Sequence, residues 1–265
     1  MSSSSPAVPD QSVTLPSGHP MPLLGFGTWQ IKGESAISST AVALEAGYRH
    51  LDTATVYGNE REVGAGIRAS GVRRGDVFVT TKLPPDRAGK ELDTLGRSLD
   101  LLGTDYVDLW LIHWPPDGDV GHELWAAFGE AQEQGLTRDI GVSNYSLDQI
   151  DALAASGAKP AVNQIRWSPL LFDRTQQDGH RSRGVVLEGY SALRGGTLDS
   201  PAVVEIAERC GRTPAQVILR WHLQHEVVAI PKSEVRERIV SNADLADFDL
   251  SAADMAALDA LGAAS

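Results

Sequence analysis

The sequence predicts an α/β fold, a single (β/α)8 TIM barrel with an N-terminal β-hairpin. Three observations lead there. Eight apolar runs of strand length recur along the chain, at Leu23–Thr28, His50–Ala54, Val77–Leu83, Val107–His113, Asp139–Asn144, Ala161–Ile165, Val185–Tyr190 and Val227–Lys232. Segments of helical length, roughly a dozen residues each, separate them, and no break in composition marks a second domain. Runs such as Val107 to Ile112 are almost continuously apolar, as expected of strands covered on both faces. A doubly wound sheet would carry a glycine-rich phosphate loop after its first strand. Here Gly25-x-Gly27 is followed by Gln30 where a third small residue belongs, and Gly64-x-Gly66-x-x-Ala69 falls inside a helical segment.

Residues 1–12, with the Ser2 to Ser5 run, are expected to form a disordered tail, and residues 13–265 one domain. Val13 to Leu15, the Pro16-Ser17-Gly18-His19 turn and Met21 to Leu24 make the predicted hairpin. After the His50–Ala54 run, Gly58 breaks the strand, and Asn59-Glu60-Arg61-Glu62 has the spacing of a helix N-cap with its reciprocal acid. Ser146-Leu147-Asp148-Gln149 and Thr213-Pro214-Ala215-Gln216 are capping boxes. The second has Pro214 at the first helical position, where its missing N–H costs nothing. Helices are also expected over Glu91–Leu102, Phe172–Arg183 and about Ser251–Leu261, and Pro201 starts one that is extra to the alternation.

Of the 265 residues 42% are hydrophobic, ample for a buried core. Against 23 basic residues stand 35 acidic ones, and the net charge of -12 argues against general affinity for nucleic acid or an anionic membrane. Small-molecule chemistry fits better. Cys210 is the only cysteine, so no internal disulfide can form, and no apolar run is long enough to span a bilayer. The amino terminus lacks the basic and apolar regions of a secretion signal, so a cytoplasmic protein is expected. His19, His122, His180 and His225 show no metal-ligand spacing, and no metal is expected. No apolar heptad calls for a partner chain, which makes a monomer the expectation.

In such a barrel the carboxyl ends of the strands meet at one face. The residues there are Thr28 and Trp29, Asp52 with Tyr57, Lys82, His113 with Trp114, Ser143 and Asn144, Gln164, Tyr190 with Ser191, and Lys232 with Ser233. Each alone has an ordinary structural explanation: Asp52 can cap a helix, Lys82 can be a solvated strand end, and His113 can be a packed core histidine. Polar residues at all eight strand ends, without a matching set at the opposite ends, point instead to a site. One subset has recognisable chemistry. A tyrosine holds its proton to about pH 10, and an ammonium about 4 Å away would stabilise the phenolate by roughly 4 kcal/mol, about three pKa units before desolvation takes some back. Asp52 would keep Lys82 charged and in place beside Tyr57, and His113 would donate to an oxygen gaining negative charge. Such a set protonates a carbonyl oxygen; it does not itself deliver a hydride.

Three separated stretches then carry a resemblance: Gly47-Tyr48-Arg49-His50-Leu51-Asp52-Thr53-Ala54 with Glu60 and Gly64; Arg138-Asp139-Ile140-Gly141-Val142-Ser143-Asn144-Tyr145; and Ile230-Pro231-Lys232-Ser233 with Arg238 and Asn242. From Leu24 to about Leu261 the sequence resembles the aldo-keto reductases, most of all the bacterial members that reduce diketo acids and small aldehydes. The resemblance implies Tyr57 as general acid, Lys82 and Asp52 as its tuning pair and His113 as the residue orienting the carbonyl. It also implies NADPH as hydride donor. Tyr190 would stack under the nicotinamide, with Ser143, Asn144 and Gln164 on its carboxamide, and Ser191 and Leu193 along the pyrophosphate. Lys232, Ser233 and Arg238 would take the 2′-phosphate, Asn242 the adenine, and Thr28 would join this cofactor-binding set. Trp29, Val56 and Trp114 match positions lining the substrate pocket, whereas Trp110, Trp125, Trp167 and Trp221 read as packing residues. Pro84 and Ser241 stand where relatives often carry tryptophan and glutamate, and the chain ends at Ser265, where many relatives continue over the barrel mouth. An open pocket with a broad range of aldehydes and ketones is therefore expected. Two other functions stay open: a cofactor-binding sensor on the same fold, and an isomerase or aldolase using Lys82 as a Schiff base, which would require a neutral Lys82 beside Asp52.

Overall fold

The structure, a computed structural model, describes residues 8–117 and 119–262. Residues 1–7 of the expected tail lie outside them. The rest of that stretch is more tightly held than expected: Val8 packs against the core, Gln11 accepts a 2.9 Å hydrogen bond from the Leu23 N–H, and Ser12 already belongs to a strand. Strands β1 (Ser12–Thr14) and β2 (Pro20–Pro22) pair antiparallel with Val13 opposite Met21, forming the predicted hairpin. Its turn reaches Asp139, whose carboxylate accepts from the Ser17 N–H and hydroxyl. Asp139 lies near the start of its strand, so the hairpin sits at the amino ends of the barrel, away from the strand ends that carry the polar set.

Eight parallel strands follow in sequence order: β3 (Phe26–Gly27), β4 (His50–Asp52), β5 (Phe78–Leu83), β6 (Val107–Ile112), β7 (Thr137–Ser143), β8 (Val162–Arg166), β9 (Val186–Tyr190) and β10 (Val228–Ala229). The two edges of this sheet meet. Leu24 bridges Ala229, whose N–H donates to the Leu23 carbonyl and whose carbonyl accepts from Gly25, both at 2.8 Å. The first and last strands are shorter than their apolar runs for a physical reason. Pro231 has no N–H to continue the ladder, although its carbonyl accepts from the Gly27 N–H at 3.0 Å, and at Gly27 a Cβ would come within 2.8 Å of the Ile230 carbonyl oxygen.

Around the strands lie α1 (Gly33–Glu45), α2 (Glu60–Ser70), α3 (Glu91–Leu102), α4 (His122–Glu133), α5 (Leu147–Ser156), α6 (Arg174–Arg183), α7 (Pro201–Cys210), α8 (Pro214–Gln224), α9 (Arg236–Ala243) and α10 (Ala252–Asp259). The capping boxes at Ser146 and Thr213 form as the spacing predicts, and Ser251 with Asp254 makes a third. The cap expected at Asn59 does not form. The Asn59 amide is engaged elsewhere: it donates to the Thr28 and Ile31 carbonyls at 2.8 and 3.0 Å and accepts from the Thr53 hydroxyl at 2.9 Å. Those tertiary bonds hold the β3 loop against the end of β4, which a local cap could not do. Gly64, inside α2, packs against the end of α3, where a Cβ would fall 2.1 Å from the Leu102 carbonyl oxygen. It is a packing glycine, not part of a phosphate loop.

Trp110, Trp125, Trp167 and Trp221 are all buried, and Trp110 stacks on Phe128 with ring centres 3.7 Å apart. The core extends through the barrel and beneath α1 to α5, with a second apolar cluster around Trp167, Trp221 and Leu258 that docks α7, α8 and α10. Cys210 is half-buried at the end of α7.

Candidate active site

Four elements bring the acid, phenol, ammonium and imidazole together. Asp52 is the last residue of β4, Lys82 is the next-to-last of β5, and His113 follows β6 directly. Tyr57 ends a 3-10 turn over Thr55–Tyr57, closed by Gly58 in the left-handed region at φ +61°. The Thr55 hydroxyl ties that turn to β5 by donating to the Lys82 carbonyl at 2.8 Å. Lys32, in the loop before α1, also donates to the Tyr57 carbonyl.

The Lys82 ammonium is buried and donates to both carboxylate oxygens of Asp52 at 2.7 Å and to the Thr53 carbonyl at 2.9 Å. The same nitrogen lies 3.4 Å from the Tyr57 hydroxyl, which shares its donors with the carboxylate. The Gln164 side-chain amide donates to Asp52 at 2.8 Å, so the carboxylate is held from β8 as well. His113 stands edge-on to Tyr57, ring centres 5.8 Å apart.

Burial by itself favours a neutral Lys82, but Asp52 and then Tyr57 outweigh it and hold the amine protonated above its ordinary range. That opposes Schiff-base chemistry. Burial also pushes the Tyr57 phenol up, and although Lys82 pulls it back, the net direction is upward. The lowering expected from charge alone is thus overturned by desolvation: Tyr57 keeps its proton at neutral pH. Burial, helped by Lys82, lowers His113 to about 3, so its ring is neutral. Beneath this layer His50 and Glu188 face each other inside the barrel at 3.7 Å. Both are fully buried, and Glu188 has neither carboxylate oxygen hydrogen-bonded. Burial and then Asp52 raise its carboxyl to about 8.

Above the tetrad opens a cavity of about 950 Å³. Asp52, Tyr57 and His113 line it, together with Trp29, Val56, Trp114, Ser143, Asn144, Gln164, Tyr190, Ser191, Leu193, Lys232, Ser233, Arg238 and Asn242. Lys82 sits behind this wall. Thr28 is not on the wall either; its buried hydroxyl donates to the Asp52 carbonyl at 2.9 Å, so it braces the end of β4. Pro84 does not line the cavity. Asn144, at φ +65°, donates to the His113 carbonyl at 3.1 Å and to the Ser143 hydroxyl at 2.9 Å, and accepts from the Tyr190 hydroxyl at 2.8 Å. This chain fixes the Tyr190 ring against the cavity. Among the described residues no three His, Cys, Asp or Glu side chains converge as a metal site.

Sequence reasoning missed Arg194, which lines the cavity and stacks its guanidinium 4.7 Å from the Trp29 ring centre. It also missed the N-terminal residues of α8, Pro214 and Ala215, and the Glu188–His50 pair. Arg194 lies three residues beyond Ser191, so the strand-end argument could have reached it. The other features depend on packing that no local pattern carries.

A nicotinamide dinucleotide suits this wall. It would need an aromatic face for a flat ring, amide and hydroxyl donors for a carboxamide, and cations for phosphates, and the cavity presents Tyr190, then Ser143 and Asn144, then Arg194, Lys232 and Arg238.

Comparison with known proteins agrees. The aldo/keto reductase family model matches residues 23–263. An aldo-keto reductase of Mycolicibacterium vanbaalenii is 46% identical over 263 residues, 97% of this chain and 94% of that protein. The glyoxal reductase of Bacillus subtilis is 42% identical over 94% of this chain and 92% of its own length. A solved aldo/keto reductase from Brucella melitensis superposes with a TM-score of 0.91 at 41% identity, covering 96% of this chain and 99% of that one. The chain belongs to the aldo/keto reductase family.

Proposed function

We propose that this protein reduces aldehydes and ketones to alcohols with NADPH, that Tyr57 is the proton donor, and that the substrate range is broad. The observation that carries the assignment is the Lys82 ammonium, clamped by Asp52 and aimed at the one phenol of this set that faces the cavity. NADPH, when bound, supplies the hydride. The protein's own work is on the oxygen. A carbonyl seated near Tyr57 and His113 gains negative charge on its oxygen as its carbon is reduced; the C=O π bond breaks, and the Tyr57 O–H proton moves to that oxygen. A developing alkoxide is a far stronger base than a phenolate, so a raised phenol pKa still permits the transfer. The phenolate left behind faces Lys82, and the neutral His113 ring can donate a hydrogen bond to the same oxygen without carrying charge of its own. Tyr190, Ser143, Asn144 and Gln164 would hold the nicotinamide, Ser191 and Leu193 the pyrophosphate, and Lys232, Ser233 and Arg238 the 2′-phosphate, with Asn242 at the adenine.

The breadth of substrate rests on the rim: Trp29, Val56 and Trp114 remain 42%, 57% and 50% exposed, a wide apolar mouth. We place the enzyme in the cytoplasm, acting as a monomeric single domain. Following NADPH oxidation by absorbance across aldehydes, α-keto esters, diketones and sugars tests the assignment. Turnover of several aldehydes is expected; none with any carbonyl would count against it.

A further inference from the structure

The segment after β10 holds a charge that the cofactor assignment leaves unused. Lys232 and Arg238 bring positive charge to the cavity wall, with Ser233 nearly buried beside them. α9 begins here with Val235 as its N-cap, a residue with no side-chain oxygen for the first-turn N–H groups, while Glu237 in that turn sets a negative charge against the helix end. Yet Lys232 already has an anion. Its ammonium is 3.2 Å from the Glu234 carboxylate. Lys232 lines the cavity and Glu234 stands behind it, outside the lining; their side chains are 29% and 44% exposed, and solvated pairs of this kind are weak and rearrange readily. Arg236 has its own partner in Glu45 of α1, at 3.2 Å.

Two ligand chemistries make opposite demands on this group. A phosphate dianion seeks Lys232 and Arg238 but must approach against the charge of Glu234. A ribose diol has hydroxyl donors, and an acidic side chain is the acceptor by which dinucleotide sites hold a 2′-hydroxyl, whereas a cation accommodates a 2′-phosphate. Both devices stand here side by side. We infer that Glu234 is a specificity-determining residue that narrows the preference for a 2′-phosphate, so that NAD(H) is accepted alongside NADP(H). This rests on the cofactor assignment above and adds to it the width of cofactor choice.

The test titrates the intact protein with NADP+ and NAD+ by quenching of tryptophan fluorescence, and with adenosine 2′,5′-bisphosphate and 5′-AMP as fragments. In Glu234→Gln the ratio of the NAD+ to the NADP+ Kd should rise about tenfold, the scale of one charge removed beside a dianion in a solvated cleft. The bisphosphate should tighten in parallel and 5′-AMP should not. Glu234→Lys should move the ratio further the same way, while Lys232→Met should move it back. An unchanged ratio in both Glu234 variants overturns the inference while leaving the cofactor assignment standing. Wild-type protein that binds neither dinucleotide overturns both.

Discussion

The Lys82 ammonium lies 2.7 Å from each carboxylate oxygen of Asp52, and both side chains are closed off from bulk water. A buried pair of this kind contributes little net stability, but breaking it is costly because the survivor is left as an uncompensated charge, at about 3–5 kcal/mol. Asp52→Asn is expected to lower the melting temperature accordingly and to reduce kcat by about a hundredfold or more, since the carboxylate that holds the Lys82 ammonium in place beside Tyr57 is gone. Thermal unfolding and steady-state turnover measure the two effects. An unchanged melting temperature would contradict the geometry.

The pH profile follows from the two groups flanking the carbonyl oxygen. His113 is held neutral by burial and Lys82, at about 3, and Tyr57 is held protonated by burial. Neither changes charge near the ordinary histidine value of about 6.5. The kcat/KM for reduction should therefore be flat between about pH 5.5 and pH 7.5, where an ordinary histidine would give a limb. A fall centred near pH 6.5 that vanishes in His113→Gln would show that His113 titrates there after all.

Glu188 gives a stability prediction with a definite sign. An unfolded glutamate titrates near 4.3, whereas burial and Asp52 hold the folded carboxyl at about 8. Between these values the folded chain keeps a proton that the unfolded chain has released. The contribution of this residue is thus fully present below about pH 4, declines as pH rises, and levels off above about 8. Glu188→Gln keeps the neutral shape and removes the titration. Urea unfolding should find the variant close to wild type near pH 4.5 and more stable near pH 8; a variant less stable at the higher pH would contradict the protonated carboxyl.

The exposed rim of Trp29, Val56 and Trp114 predicts tolerance of substrate bulk. Small and bulky aromatic aldehydes should differ in kcat/KM by no more than about tenfold, the low end of what a single methylene is worth in a closed apolar pocket. Trp114→Ala should raise KM for the aromatic substrate more than for the small one. Turnover confined to a single small aldehyde would contradict an open pocket.

Much of this was legible in the chain because it is written locally. Alternating apolar runs marked the strands, and the hydroxyl and amide spacings at Ser146 and Thr213 marked two helix starts, since a cap needs only residues a turn apart. The strand-end inventory reached the part of the cavity wall around Asp52, Tyr57 and His113, because a barrel converts the ends of distant strands into one surface. What it could not weigh was competition. Asn59 has the spacing of a cap, but carbonyls of the β3 loop take its amide. The charge of Lys82 was visible, whereas the burial that outweighs it at Tyr57 was not. Arg194 over Trp29 and Glu188 opposite His50 are meetings of residues far apart in sequence, and no local pattern announces them.

The central claim is that Tyr57 gives the proton. Tyr57→Phe removes that hydroxyl while leaving the ring, the Lys82–Asp52 pair and the cofactor wall in place. The direct measurement pairs NADPH titration with carbonyl reduction in this variant. The account predicts an NADPH Kd within about twofold of wild type and a kcat lower by at least about a hundredfold. Reduction at a rate near that of wild type, with NADPH still bound, would contradict it.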